Sequence, residues 1–270
     1  MNIKRLTSSL LGFPLVALIF ILGNQYIVDI FLAIIAILGI QEYFNAISKK
    51  AKPVKWIGYL SCIGIAFIHI LSERVQAETL QTITILAIPT ILLILFLQVI
   101  LTNMKTNFKD IAYTFFGIIY VIGSIAFLSL IRGINNGKIL IWYVMFAAWG
   151  TDTFAYLIGK RFGKHKLCTI SPKKSLEGSI AGIVGAAILT LIYTYITSQF
   201  GHSYSYMAVA GITILLSIIS QIGDIAASSI KRYVDIKDYS NLIPGHGGML
   251  DRIDSLMFIS PFAYVLLTII

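Results

Sequence analysis

The stretch T-I-T-I-L-A-I-P-T-I-L-L-I-L-F-L-Q-V-I-L, residues 82–101, decides the class of fold. It contains no charged side chain. A helix needs about 20 predominantly apolar residues to cross the hydrocarbon core of a bilayer. The apolar run is continuous, whereas a strand of a membrane barrel alternates polar with apolar residues. The stretch therefore predicts a transmembrane α-helix.

Similar apolar runs recur from one end of the chain to the other. The 270 residues are 57% hydrophobic and 12% charged, whereas a soluble domain carries about 25% charged residues. We therefore predict an all-α, polytopic integral membrane protein with about nine transmembrane helices. Their predicted positions are residues 7–23, 27–46, 56–72, 82–101, 110–131, 139–159, 177–199, 205–230 and 252–270. No linker or internal repeat divides the chain, so we expect a single membrane domain over residues 1–270.

The basic residues indicate how the chain is oriented. When the predicted helices alternate across the membrane, only Arg74, Arg132 and Lys138 of the 21 Lys and Arg residues fall on one side. Loops rich in Lys and Arg stay in the cytosol. We therefore expect a protein of the cell membrane whose N-terminus lies in the cytosol and whose C-terminus lies outside the cell. This topology, with attraction to anionic headgroups, explains the net charge of +9 without a nucleic-acid partner.

Polar residues are distributed unevenly between the two halves of the chain. Residues 1–138 are mostly apolar, and we expect them to be a scaffold or to form part of a lipid-facing cavity. Residues 139–270 hold nearly all of the unusual polar groups and are the expected catalytic half. In the first half, Glu42 on the second predicted helix is a weaker candidate, since pairing with a nearby lysine is enough to explain it.

Five carboxylates from four predicted helices are expected at the cytosolic membrane surface, which makes this surface the expected active-site face. They are Asp152, Glu177, Asp224, Asp251 and Asp254. A carboxylate within a membrane costs roughly 2.5–3.5 kcal/mol or more unless it is paired or hydrated, so such residues are functional candidates. Converging carboxylates suit a hard cation, and Mg²⁺ is the usual one where phosphates also bind. Simpler explanations stay open, because Asp251 can cap the ninth helix and Asp254 can pair with Arg252.

The segment between the sixth and seventh predicted helices has the composition of a phosphate-binding loop. It reads G-K-R-F-G-K-H-K-L-C-T-I-S-P-K-K-S-L-E-G, residues 159–178. Its bases, among them Lys173 and Lys174, suit a polyphosphate together with the hydroxyls of Ser171 and Ser175. The P-loop pattern is absent. Ser175 can also cap the seventh helix, whose N-terminus would then point at an anion.

Two glycine patterns have different interpretations, one as a loop that a ligand can approach and the other as a helix-packing surface. The run P-G-H-G-G, Pro244–Gly248, allows backbone N–H groups to approach a ligand closely, because glycine has no side chain in the way. A turn alone would explain two of these glycines. Gly178 and Gly182 form a G-x-x-x-G pattern, which predicts close packing of the seventh helix against a neighbour rather than a site.

The stretch from Ser228 to Asp254 resembles a known family. It reads S-S-I-K-R, four residues, and then K-D-Y-S-N-L-I-P-G-H-G-G-M-L-D-R-I-D. This resembles the signature of phosphatidate cytidylyltransferases, also called CDP-diacylglycerol synthases. The segment Ser171–Gly178 is similar to a second segment of that family. The signature positions that agree are Ser228, Lys231, Arg232, Lys237, Asp238, His246, Gly247, Gly248, Asp251, Arg252 and Asp254.

The resemblance implies a reaction and its partners. Members of that family transfer CMP from CTP to phosphatidic acid, which gives CDP-diacylglycerol and pyrophosphate. They are integral membrane proteins of the lipid bilayer that depend on Mg²⁺, and a second cation, K⁺, is associated with their site. The resemblance also implies a homodimer with a cavity open to the cytosol and to the lipid.

Matched position by position, the resemblance implies roles for individual residues. Asp224 and Asp251 are the implied main metal ligands and Asp254 supports them, while Asp152 and Glu177 remain weaker candidates from their positions alone. Asp224, Asp251, Lys173 and Arg252 are the expected catalytic residues. The residues expected around the substrates are Ser171, Lys173, Lys174, Ser175, Arg232, Lys237, His246, Gly247, Gly248 and Arg252.

Two other functions fit the residues less closely. A CTP-dependent polyprenol or phytol kinase would transfer the γ-phosphate to an alcohol and release CDP. A transporter for an anionic substrate would also need intramembrane acids and basic loops. Transporters usually place their polar sites near the membrane midplane between structural repeats. This chain shows no repeat, and its acids are predicted at one face.

Overall fold

A computed structural model describes residues 3–245 and 247–269 of the protein. Throughout these residues the regular structure is helical, which confirms the predicted all-α class. The helices are α1 (Ile3–Leu22), α2 (Gln25–Ile47), α3 (Lys55–Arg74), α4 (Ala77–Leu101), α5 (Phe108–Gly117), a π-helix (Ile118–Gly123), α6 (Ser124–Gly133), α7 (Gly137–Phe162), α8 (Leu176–Ser198), α9 (Tyr206–Tyr233) and α10 (Leu250–Leu267).

Within the described residues, six helical segments are long and apolar enough to cross a membrane. They are Gln25–Ile47, Lys55–Arg74, Glu78–Leu101, Phe108–Gly133, Leu176–Ser198 and Tyr206–Tyr233. The predicted stretch 82–101 lies in α4, and little of that helix is buried inside the protein. A helix that is apolar all round and unburied is expected to face lipid. The predicted count of about nine spans and the predicted orientation stay predictions.

The predicted fifth helix, residues 110–131, is not a single α-helix. A π-helix at Ile118–Gly123 separates α5 from α6, although the whole segment Phe108–Gly133 remains one candidate span. π-Helical turns occur mostly as short insertions inside α-helices, and the pattern of apolar residues does not reveal them.

The chain divides into two compact units. Unit 1 comprises Met1–Leu130 and Asp238–Arg252, and unit 2 comprises Ile131–Lys237 and Ile253–Ile270. Part of the signature, Asp238–Arg252, therefore belongs to the same compact unit as the apolar N-terminal half.

Helix α2 forms the centre of unit 1, where α1, α3, α5 and the π-helix all pack against it. Its side chains Leu32, Ile40 and Phe44 are almost fully buried. Close approach is possible where neighbours lack a side chain: a Cβ on Gly58 would lie 2.5 Å from the Phe44 ring, and one on Gly117 would lie 2.4 Å from the Tyr43 ring. The packing around α2 therefore depends on small residues facing large aromatic ones.

In unit 2, helices α7, α8 and α9 pack against one another. A Cβ on Gly178 would lie 2.7 Å from the carbonyl oxygen of Ala155, and one on Gly182 would lie 2.8 Å from that of Thr151. The predicted role of the G-x-x-x-G pattern in helix packing is thereby confirmed, because α7 and α8 approach closely enough to exclude a side chain.

Hydroxyl pairs link the same three helices. Thr151 Oγ1 lies 2.6 Å from Ser217 Oγ, and Thr190 Oγ1 lies 2.9 Å from Thr213 Oγ1. In apolar surroundings, side-chain hydroxyls are expected to form hydrogen bonds with each other or with the backbone, because no water is available as a partner.

We predict that Gly182→Ala destabilises unit 2 by about 1–3 kcal/mol, because the added methyl group forces α7 and α8 apart. Thermal unfolding of the purified protein measures the effect. Gly211→Ala on α9 is the matched control, since a Cβ there meets no atom within 4 Å. Equal unfolding midpoints for the two variants would contradict the packing argument.

Candidate active site

Three of the predicted carboxylates lie close together within unit 2. They come from three helices: Asp152 from α7, Asp224 from α9 and Asp254 from α10. Asp254 is 7% exposed and interacts electrostatically with both of the others. Ser255 also links two of these helices, because its hydroxyl donates to Asp152 Oδ2 at 2.9 Å. The sequence assigned these acids to one membrane surface, and the fold of unit 2 brings them together.

Gly223 explains how α9 and α10 approach at this point. A Cβ there would lie 2.5 Å from Phe258 Cβ and 3.3 Å from the carbonyl oxygen of Asp254. The glycine immediately before Asp224 therefore allows the two helices to pack closely, which sets the spacing between Asp224 and Asp254.

Two lysines oppose the three acids. Lys174 Nζ lies 2.6 Å from Asp224 Oδ2, and the two side chains are 23% and 29% exposed. Lys231 is buried and interacts favourably with Asp254. From the sequence, Lys231 is known only as a signature position, and its place opposite Asp254 follows from the tertiary structure. The cluster has more acids than bases, so it can still take up positive charge.

The donor chemistry of this cluster fits a hard cation, because all of its candidate ligands are carboxylate oxygens. Among the described residues, however, no group of three or more His, Cys, Asp or Glu side chains is arranged to hold a metal ion as it stands. Mg²⁺ usually binds one or two protein carboxylates together with waters and substrate phosphates. A site that is completed by substrate is consistent with both observations.

The basic loop between α7 and α8 is folded on itself. Ser175 is the N-cap of α8, and its Oγ accepts a hydrogen bond from Gly178 N at 3.1 Å, which confirms the capping alternative. Glu177 holds the other end of the loop, because its carboxylate accepts from Lys164 N, His165 N and His165 Nδ1. These contacts give Glu177 a structural role and leave its metal-binding role an untested prediction.

The arrangement of the loop leaves its phosphate-binding candidates at the surface. Lys173 is exposed, and Ser171 and Lys174 are partly exposed. The loop backbone is tied by hydrogen bonds from Leu167 N to Lys174 O and from Lys174 N to Ser171 O. The position of Lys174, between this loop and Asp224, is therefore set by backbone contacts as well as by its ion pair.

In unit 1, the glycine run has a structural explanation at each glycine. Gly245 and Gly247 have φ values of 79° and 85°, a region that side chains disfavour, and Ile243 N donates to Gly247 O across the turn. Gly248 lies against a carboxylate, because a Cβ there would be 2.6 Å from Glu42 Oε2. The contact of this run with a ligand stays a prediction.

Asp251 and Glu42 both accept hydrogen bonds at the start of α10. Asp251 lies in the first turn of α10, and its Oδ2 accepts from Tyr239 N at 2.8 Å and from Gly248 N at 3.0 Å, both in the segment that precedes the helix. Pairing with a lysine was one explanation for Glu42, but the described residues give it other partners. Its partners there are the backbone of Met249 and Leu250 and the hydroxyl of Ser240.

The remaining predicted residues are spread over the two units. In unit 2, Arg232 is exposed and its Nη1 donates to Ile236 O at 3.3 Å, while Lys237 is exposed. In unit 1, Arg252 is exposed on α10. His246 lies outside the described residues. The roles of all four as substrate contacts stay predictions.

These features define a helical membrane protein in which carboxylates of α7, α9 and α10 lie close to lysines of α9 and of the loop before α8. The model of the Cytidylyltransferase family matches residues 3–270. The chain is 32% identical over 268 residues to a phosphatidate cytidylyltransferase of Staphylococcus aureus (strain COL), covering 99% of both chains. It is 35% identical over 225 residues to the enzyme of that name from Bacillus subtilis (strain 168), covering 82% of both. The chain belongs to the cytidylyltransferase family.

We predict that the Lys174–Asp224 pair contributes little to folding. Lys174→Met and Asp224→Asn are each expected to change the free energy of unfolding by less than about 1 kcal/mol, because partly exposed ion pairs are screened by water. Denaturant unfolding gives the values.

For comparison, Asp110→Asn removes a buried carboxylate that accepts from Lys52 N and Asn107 N, and we expect it to cost about 1–3 kcal/mol. A Lys174 or Asp224 variant as unstable as the Asp110 variant contradicts the prediction.

Proposed function

We propose that this protein transfers CMP from CTP to phosphatidic acid and so produces CDP-diacylglycerol and pyrophosphate. The observation that carries the proposal is the match along 99% of the chain to a relative that bears the name phosphatidate cytidylyltransferase. The carboxylates and lysines of unit 2 support it, since a reaction between two phosphate compounds needs charge neutralisation more than it needs a strong base.

The proposed reaction is a direct displacement. A phosphate oxygen of phosphatidic acid attacks the α-phosphorus of CTP and forms the new P–O bond. The bond between the α-phosphorus and the bridging oxygen to the β-phosphate breaks, and both bonding electrons leave with pyrophosphate. A phosphate monoester is already ionised near neutral pH, so no side chain has to remove a proton from the nucleophile.

Within unit 2, the side chains have complementary tasks in this proposal. Lys174 would exchange its contact with Asp224 for a nucleotide phosphate, helped by Lys173 and Ser171 of the same loop. Asp224 and Asp254 would hold Mg²⁺, while the metal-ligand role that the resemblance implies for Asp251, in unit 1, stays a prediction. When bound, Mg²⁺ would neutralise phosphate charge and stabilise the leaving group. Lys231 would offset part of the negative charge around the buried Asp254.

The proposal includes a location for the reaction. The lipid substrate stays in the membrane and CTP is found in the cytosol, so we place the basic loop and the carboxylates of unit 2 at the cytosolic face. The asymmetry in Lys and Arg between the two sides of the predicted topology supports this orientation.

The test of the proposed activity is incubation of the purified protein with CTP, phosphatidic acid and Mg²⁺. We expect pyrophosphate and CDP-diacylglycerol in equal amounts. Release of CDP instead would indicate a kinase, and uptake of labelled CTP into vesicles without any reaction would indicate a transporter. Either result overturns the proposal.

Asp224→Asn should lower the rate of CMP transfer at least about a hundredfold, because a lost metal ligand or charge partner removes roughly 3 kcal/mol of transition-state stabilisation. The matched control is Asp235→Asn, which makes the same change of charge at an exposed residue with φ 55°. Asparagine tolerates that backbone conformation. Near-normal turnover by the Asp224 variant at saturating Mg²⁺ would rule out its assignment.

The proposed orientation can be read from the native cysteines. Cys168 lies in the basic loop and is partly exposed, whereas Cys62 is buried. A membrane-impermeant maleimide should therefore label the protein in inside-out vesicles and not in right-side-out vesicles. Cys168→Ser should abolish the label in inside-out vesicles. Labelling of Cys168 in right-side-out vesicles would reverse the proposed topology.

A further inference from the structure

Glu42 on α2 contacts the signature segment. Its side chain is 5% exposed. Its Oε1 accepts from Ser240 Oγ at 2.6 Å and from Met249 N at 2.8 Å, and its Oε2 accepts from Leu250 N at 2.8 Å. Both carboxylate oxygens are thus engaged by donors of the signature segment.

These contacts join two parts of the chain that the sequence separates. Ser240 lies near the start of the loop that precedes α10, Met249 is the last residue of that loop, and Leu250 is the first residue of the helix. Asp251 makes a parallel connection, since its Oδ2 joins Tyr239 N to Gly248 N. Two carboxylates therefore close the loop 239–250, one from outside the signature and one from within it.

Gly248 shows how tightly Glu42 is placed. A Cβ on this residue would lie within 2.6–2.8 Å of three atoms of the Glu42 carboxyl group. The carboxylate therefore sits directly on the backbone of the glycine that precedes α10. An amide donates to a carboxylate more strongly than to a neutral acceptor, and the positive end of the α10 dipole adds to the attraction.

We infer that Glu42 is a positioning residue for the transferase reaction, acting by holding the loop 239–250 and hence the orientation of Asp251 and Arg252. The inference rests on the proposed function. It gives a catalytic purpose to a residue in the half of the chain that its composition marks as scaffold. Glu42 does not act on substrate itself, because its oxygens are occupied by loop donors.

The decisive variant is Glu42→Gln. Glutamine has nearly the same shape but offers one acceptor oxygen, so its NH₂ group must face either Leu250 N or the pair Ser240 Oγ and Met249 N. The NH₂ group then faces another hydrogen-bond donor, and the loop has to shift to separate the two donors. We therefore expect kcat/KM for CMP transfer to fall at least about tenfold, mainly through kcat. Hydrogen exchange of the amides in residues 239–250 should become faster in the same variant.

Ser240→Ala provides a second variant in case Glu42→Gln does not fold. It removes one of the three donors and leaves both backbone contacts in place. A smaller loss of about two- to fivefold in kcat is expected, with faster exchange confined to the loop.

Asp29→Asn is the matched control. Asp29 is a buried acid of the same helix, about 20 Å from Glu42 along the axis at a rise of roughly 1.5 Å per residue. It accepts from Ser129 Oγ and Gln25 Nε2 and lies 2.8 Å from His69 Nδ1, all outside the loop. Its variant is expected to lower the unfolding temperature while keeping kcat of the folded enzyme within about twofold.

The outcomes separate the two proposals. If the wild-type protein forms no CDP-diacylglycerol, the proposed function fails, whatever the loop does. If the wild type is active and Glu42→Gln keeps its kcat/KM, the positioning role is overturned. The positioning role is also overturned if the activity of Glu42→Gln falls only in proportion to the fraction of folded protein. It is likewise overturned if Asp29→Asn loses activity to the same extent, and Glu42 is then a stabilising residue. Loss of kcat with faster loop exchange in folded protein supports it.

Discussion

A polar group on an apolar helix has no water to bond to, so it must find a partner elsewhere in the protein. This constraint determines much of the described structure. In unit 1 it places Asp29 among Gln25, His69 and Ser129. In unit 2 it pairs the hydroxyls of α7, α8 and α9. The contacts of Asp29 with His69 and Ser129 and the hydroxyl pairs of unit 2 each join two different elements.

The same constraint separates two kinds of acid. Glu42, Asp29 and Asp251 are buried and have donors arranged around them, so their contacts hold backbone or side chains in fixed places. Asp224 is partly exposed, and its partner is one lysine on a loop. Exchanging that lysine for another cation or for a phosphate costs less than breaking a buried set of hydrogen bonds. The partly exposed acid is therefore the better candidate for chemistry.

Local patterns allowed several features to be predicted from sequence. Ser175 as an N-cap and Gly178 and Gly182 as packing residues depend on residues within a few positions of one another or on one helix face. The role of Glu42 could not be predicted in this way. Its partners are about two hundred residues away, and an isolated acid in a helix carries no signal of which distant amides it will meet.

Taken by itself, the sequence determined the all-α membrane class and the family, because apolar length and a long signature can be read without knowing any contact. It also determined which acids and bases were candidates. Only the tertiary structure decided how the candidate acids are distributed between the two compact units. Asp152, Asp224 and Asp254 lie close together within unit 2, while Asp251 lies with Glu42 in unit 1. The physical reason is that hydrogen bonds and close packing act across space, and the distances that they require are set by how helices pack, which no single stretch of sequence contains.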